Sequence, residues 1–297
     1  MSSRVRLAVT LGDPRGIGPE IVERAARDAA VLAVAELVLV GPRGAGLTVQ
    51  EAVGEWTPGA GAALAGSLAG LAVERAVALA ADGAVQGIVT APIDKSALLA
   101  GGFVYPGHTE LLAHLTGSRV AMMLASDRLR VVLATTHIPL REVTRALTRD
   151  TIVEVAGVTR RGLQEWYGLA TPRIALCALN PHAGDGGRFG REDDELLAPA
   201  ARSAGLAGPF PADTVFVRAI RGEFDAVIAP YHDVGMTAIK VASFGSAVNV
   251  TLGLPFPRTS PDHGTALDIA GRGLADPSSF IAAVFECARI ARVLAGR

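Results

Sequence analysis

The stretch DAVIAPYHDVGMTAIKVASFGSAVNVTLGLPFPRTSPDHGTALDIAGRG, residues 225–273, decides the fold and carries most of the chemistry. Residues 226–230 are a short apolar run bounded by turn formers, which predicts a buried strand delivering Tyr231, His232 and Asp233 to a sheet edge. Open α/β sheets bind ligands at that edge. A second strand over 247–252 ends at Gly253, and Pro255, Pro257 and Pro261 stiffen the loop beyond it, favouring a preorganised site. Lys240, Asn249, Arg258, Asp262 and His263 fall in the same stretch.

Working outward, residues 5–11 alternate into a strand, and GDPRGIGPEI then turns into a helix with Pro19 and Glu20 in its first turn, where both are favourable. The turn is glycine-rich but is not G-x-G-x-x-G, and Asp13 repels a phosphate unless a cation intervenes. Strands over 36–40 and 85–90 around a helix over 62–81 give a βαβ rhythm, hence a parallel sheet with right-handed crossovers. Residues 41–61 read as loop. Thr109 is placed to cap a helix containing Leu111, Leu112 and Leu115, with His108 just ahead of it and His114 a packed or surface residue within it. Runs over 119–125 and 129–136 around Ser126, Asp127 and Arg128 predict an antiparallel pair. A helix over 149–168, a strand over 173–179 and the loop NPHAGDGGRFGREDDE complete the pattern.

At 297 residues the chain suits two α/β lobes. Boundaries fall in short turns near 106–109 and 245–254, giving one lobe of 1–107 plus 250–297 and another of 108–249. Abundant small residues with few aromatics suit helices packed closely on a parallel sheet. A net charge of −1 with scattered basic residues offers no electrostatic case for nucleic acid or an anionic membrane. Cys177 and Cys287 are far apart in apolar surroundings, which points to buried spectator thiols. The N-terminal MSSRVRLAVTLGDP lacks the apolar core of a signal peptide, and no uninterrupted apolar stretch is long enough to span a bilayer, so a cytoplasmic soluble protein is expected.

His137, His182 and His232 each follow a predicted strand. If those strands share a sheet edge or face a common cleft, three imidazoles converge on one divalent ion. The alternative is three unrelated polar residues, and the spacing alone is not a metal motif, H-E-x-x-H being absent. Lys240, Asn249 and Arg258 suit either an anion site or a solvated surface. Asp233 suits an orienting partner for His232 or a proton acceptor. Asp268 is read on a helix after DHGT, answering its macrodipole. A Walker A sequence and a G-x-S-x-G elbow are absent.

The ordered set GDPRGIGPEI, APIDKSAL, GHTELLA, ATTHIPL, NPHAGDGG, PYHDVGM, K-x8-N-x-T-L-G-L-P-F-x-R-T-S and DHGTALDIAGRG closely resembles the 4-hydroxythreonine-4-phosphate dehydrogenase family of pyridoxal phosphate biosynthesis. SPDHGTALDIAGRG also looks like the cofactor loop of isopropylmalate and isocitrate dehydrogenases, to which the family's fold is similar. The resemblance implies two α/β/α lobes in a homodimer, an NAD or NADP site outside the Rossmann type on the first lobe, and one divalent metal (Zn, Mg or Co) in the interlobe cleft, with the second lobe carrying metal and dimer contacts. It places the metal on His137, His182 and His232, the third of them, His232, from the partner subunit. Substrate contacts fall on His108, Thr109, Lys240, Asn249 and Arg258, and nucleotide contacts on Asp262, His263, Gly264, Thr265 and Asp268. Asp233 and Lys240 are the candidate catalytic groups.

The implied reaction is oxidation of a phosphorylated hydroxy acid, 4-hydroxythreonine 4-phosphate, with decarboxylation where a carboxylate lies β to the new ketone. A dehydrogenase of erythronate or threonate 4-phosphate keeps the chemistry and changes the substrate. Phosphate acyl transfer on a related two-lobed fold is more distant, because it needs neither the histidines nor the DHGTA loop. Departures from the family pattern are Arg15, Asp94, Asp185 and a reduced segment after Gly41.

Overall fold

The computed structural model describes residues 4–243 and 246–296. The first three residues of the N-terminal segment read above, and Gly245 of the predicted 245–254 boundary, lie outside them. The described strands are β1 (Val5–Thr10), β2 (Ala35–Arg43), β3 (Glu51–Glu55), β4 (Gly87–Thr90), β5 (Ala121–Ala125), β6 (Arg130–Leu133), β7 (Ile174–Cys177), β8 (Ala207–Phe210), β9 (Ala226–Ala229), β10 (Val248–Leu252) and β11 (Arg258–Pro261). The chain is mixed α/β and divides into two compact units, Met1–Arg119 with Val248–Arg297, and Val120–Ala247. The His108–Thr116 helix, assigned to the second lobe from sequence, lies in the first unit.

In the first unit the strands run in the order β3-β2-β1-β4-β11-β10. Pairing is parallel from β3 through β11, and β10 returns antiparallel to β11. The parallel pairing follows from burial: β4 is buried throughout and β1 at all but one position, as apolar runs beneath helices require. The Ala62–Ala81 helix is apolar on nearly every side, and by length and composition alone it is the one described helix able to cross a membrane. Its contacts explain that composition differently. It packs on β1, β2 and β4, and Gly66 and Gly70 admit the Ala97 backbone and the Phe103 ring so closely that a Cβ at either position would collide. The Ser278–Ala295 helix covers β4 and β11 through the fully buried Phe280 and Val284.

β3 lies in the segment read as loop. It pairs parallel with β2 at the sheet's edge and is largely exposed, so it carries no apolar stripe to announce it.

In the second unit the order is β5-β6-β9-β7-β8, with β5 antiparallel to β6 and the other neighbours parallel. The predicted turn is present, with Ser126 N donating to Leu129 O at 2.9 Å. Leu133, Cys177, Val215, Val227, Ala229 and Ile239 form the center of this unit's core. Cys177 and Cys287 are both free and buried, as expected, and burial pushes both thiols up to about 12.

Candidate active site

In the first unit the two glycine-rich motifs meet. Ile17 N donates to Thr265 O at 2.9 Å, and a Cβ on Gly16 would stand 2.8 Å from that oxygen and 2.9 Å from Thr265 Cβ. GDPRGIG is therefore bare of side chain where the DHGTA loop docks. The Asp13 carboxylate is fully buried and paired by Arg15, whose Nε and Nη2 donate to its two oxygens at 3.0 and 2.6 Å. The cation that Asp13 required is supplied two residues along. Asp94 Oδ1 lies 3.8 Å from the same guanidinium.

Arg258, at the start of β11, is 2 % exposed. Its Nη1 donates to Thr251 Oγ1 at 2.9 Å and its Nη2 to Thr90 Oγ1 at 2.6 Å, while Nε has no partner. Among the described residues it forms no ion pair. Burial lowers its pKa to about 10, with Cys287 and Glu110 opposing the shift, so it stays charged at neutral pH. Two neutral hydroxyls contribute about 1.5–3 kcal/mol each to a charged donor. Desolvating the charge costs several kcal/mol, so these bonds leave the guanidinium short of compensation.

His108 Nε2 and Asn249 Oδ1 are among the other polar atoms of this unit that are buried without partners. Burial, and next the Arg258 charge, hold the His108 imidazole well below the usual histidine range. His108 is the first residue of its helix, which follows Gly107 with no side-chain cap, so Thr109 does not take the capping position expected for it. His114 is exposed and stacks on Tyr105 with 4.9 Å between ring centroids.

Of the expected nucleotide residues, Asp262 accepts from Ser279 Oγ at 3.4 Å, and His263 holds Nδ1 3.1 Å from Gly264 O with its Nε2 buried and unpartnered. Gly264 faces open space and Asp268 is exposed. No helix follows DHGT: residues 267–273 form successive turns, with Ala266 at φ +41°, so Asp268 meets no macrodipole there. The glycines and the conformation of Ala266 break the helical reading. A cavity of about 450 Å³ opens between Arg15 and Gly16 on one side and Gly271 and Gly273 on the other.

In the second unit β6, β9 and β7 are neighbours and mutually parallel, so His137, His232 and His182 leave the same edge. The rings of His137 and His232 lie 5.4 Å apart between centroids, on a pocket of about 110 Å³ that Tyr231 and Asp233 also line. His232 Nδ1 is 2.7 Å from Asp233 Oδ1, an arrangement that leaves Nε2 for another partner. His182 lines a separate cavity of about 330 Å³, again beside Tyr231. Among the described residues no three His, Cys, Asp or Glu side chains are gathered closely enough to hold a metal. The chain thus brings two of the three imidazoles together and leaves the third apart. Lys240 is exposed on the His232–Ser243 helix.

The turn bearing His182 is strained, with His182 at φ +53°, Ala183 at φ +56° and Asp185 at φ +43°. Such conformations cost about 1–3 kcal/mol each and persist where surrounding structure enforces them. Asp193 anchors the backbone leading into this turn: 1 % exposed, its carboxylate accepts from Leu179 N at 2.8 Å and Asn180 N at 3.0 Å. Sequence reasoning missed Asp193. The available signal was an acidic residue next to the apolar start of a helix.

The fold and these sites define an α/β enzyme of the dehydrogenase-like architecture. A beta-decarboxylating dehydrogenase from Thermococcus kodakarensis shares that fold at TM-score 0.52 and 16% identity, covering 93% of this chain and 80% of that one. Much nearer is the crystal structure of 4-hydroxythreonine-4-phosphate dehydrogenase from Klebsiella pneumoniae, with TM-score 0.85 and 41% identity over 97% of this chain and 99% of that chain. The 4-hydroxythreonine-4-phosphate dehydrogenase of Xanthomonas axonopodis pv. citri is 44% identical over 96% of this chain and 98% of its own length. The family model described as pyridoxal phosphate biosynthetic protein PdxA matches residues 19–287, and the chain belongs to that family.

Proposed function

We propose that this protein oxidises 4-hydroxythreonine 4-phosphate with a nicotinamide cofactor and one divalent ion. The observation that carries the reading is Arg258: a buried guanidinium with unpartnered Nε, in the same unit as the unpartnered polar atoms of His108 and Asn249, is suited to a dianionic group. Phosphate supplies the missing acceptors. Thr109, next to His108, adds a hydroxyl, and Lys240 is the second unit's candidate for substrate contact.

The residues of the second unit suit a metal in part. His137 and His232 are neighbours, and Asp233 fixes the orientation of His232 and leaves its Nε2 to serve as ligand. His182 completes the set of three in this reading, which takes the metal site to be shared across a homodimer. Zinc, cobalt or magnesium suits such a site. Held by His137, His182 and His232, the ion would supply the acidity of the substrate hydroxyl and the charge stabilisation that decarboxylation needs, and a bound nicotinamide would be the hydride acceptor. Lys240 and Asp233 are the groups available to take the hydroxyl proton. Asp262, His263, Gly264, Thr265 and Asp268 face the nucleotide, the loop being set by its docking on Gly16.

The test is NADH formation by metal-replete enzyme supplied in parallel with 4-hydroxythreonine 4-phosphate, erythronate 4-phosphate and threonate 4-phosphate, compared as kcat/KM. The expected result is a strong preference for the amino substrate. Preference for either sugar acid would overturn the substrate assignment, and no turnover with any would overturn the reaction.

A further inference from the structure

We infer that the 450 Å³ cavity of the first unit takes the nucleoside diphosphate half of the cofactor, with Arg15 as the residue that holds the diphosphate. The inference rests on the dehydrogenase reading above and adds a specific anchor to it. Three observations carry it.

Arg15 is half-committed. Its Nε and Nη2 are engaged by Asp13, a carboxylate with no solvent exposure, while Nη1 has no hydrogen-bond partner among the described residues. The side chain lines the cavity and keeps 25% of its surface exposed. The two-bond fork fixes the guanidinium plane, so one edge is held for Asp13 and the rest is oriented with little further entropy to lose on binding.

Part of the surrounding wall is bare. Gly16, Gly46, Gly271 and Gly273 line the cavity, and beside the last three no atom lies within 4 Å of where a Cβ would stand. At these glycines a diphosphate can approach the backbone closely, while Pro14, Pro19, Glu20, Glu23 and Leu47 line the rest of the cavity.

A hydroxyl acceptor stands on the same wall. Glu20 lines the cavity; its Oε1 accepts from Ala275 N at 3.1 Å and its Oε2 is left without a partner. A ribose hydroxyl is a donor such a carboxylate accepts. Cation, bare backbone and carboxylate match diphosphate and ribose in sequence, whereas a purely structural Arg15 would account for the Asp13 pair alone.

The experiment is calorimetric titration of the full-length protein with ADP-ribose and, separately, adenosine, neither of which requires turnover. Arg15→Gln alone strands a buried carboxylate, so the double variant Asp13→Asn/Arg15→Gln, which removes both partners, is measured with it, each checked for folding by thermal melt. Arg15 holding the diphosphate raises the Kd for ADP-ribose at least tenfold in the folded double variant and leaves that for adenosine within twofold. Unchanged ADP-ribose affinity, or equal loss for both ligands, overturns the assignment. NADH formation by the wild type is assayed alongside: its absence with ADP-ribose still bound through Arg15 would strike the dehydrogenase reading and spare this one.

Discussion

Arg258 Nη2 donates to Thr90 Oγ1 at 2.6 Å, so this buried charge of the first unit is held by a hydroxyl on β4 rather than by a carboxylate. A structural arginine in that position would be expected to carry an acidic partner, because an uncompensated buried charge works against the fold. Under the function proposed above, a ligand that brings the negative charge would account for its retention.

Replacement of Arg258 should therefore separate stability from activity. Arg258→Met, of similar volume and without charge, is expected to leave the urea midpoint unchanged or higher while raising KM for the phosphorylated substrate by about tenfold to a hundredfold, the equivalent of losing ~1.5–3 kcal/mol of charge-assisted hydrogen bonding. A KM increase of the same size for a dephosphorylated analogue would remove the phosphate role.

His108 makes stability pH-dependent. Burial and Arg258 lower its folded pKa well below 6.5, so between that lowered value and about 6.5 the unfolded chain binds a proton that the folded chain does not. Its contribution is complete above about 6.5 and declines as pH falls, by up to ~1.4 kcal/mol per pH unit. Urea denaturation from pH 7.5 down to 5 should show a shallower decline in His108→Gln than in the wild type. Parallel curves would show that His108 does not titrate in this way.

Asp233 acts on His232 through one hydrogen bond. Asp233→Asn should weaken divalent-ion affinity about tenfold to a hundredfold, the range for losing a carboxylate that orients an imidazole ligand, with the fold intact. Metal content after dialysis against graded chelator measures this directly, and unchanged retention would assign Asp233 elsewhere.

Gly16→Ala should push the Thr265 loop off the first turn, since no Cβ fits 2.8 Å from Thr265 O. A loss of about 1–3 kcal/mol of stability with a raised KM for the nucleotide is expected, both read from one set of melts and initial rates. Wild-type values in both would show that the loop yields freely.

Where burial and periodicity coincide, the sequence was enough. Residues 226–230 and 247–252 lie within a residue of β9 and β10, and the 62–81 helix was placed correctly because its apolar character is continuous. β3 escaped because an exposed edge strand containing Gly54 has no buried face. The helix expected at Asp268 failed because local polarity imitated a first turn while Ala266 and the flanking glycines adopt turns. At the candidate sites the histidine and arginine positions were legible as residue types, but not their partners. Thr90, Thr251, Asp193 and the Arg15–Asp13 fork are long-range or orientation-dependent relationships that spacing does not encode.

The most direct test of the account is NADH formation from 4-hydroxythreonine 4-phosphate by enzyme stripped with chelator and then reconstituted with zinc, cobalt or magnesium. The account requires turnover to vanish on stripping and to return with at least one of these ions, and to stay absent in the His137→Ala, His182→Ala and His232→Ala variants under the same reconstitution. Full activity in the stripped enzyme, or in any of the three variants, would contradict it.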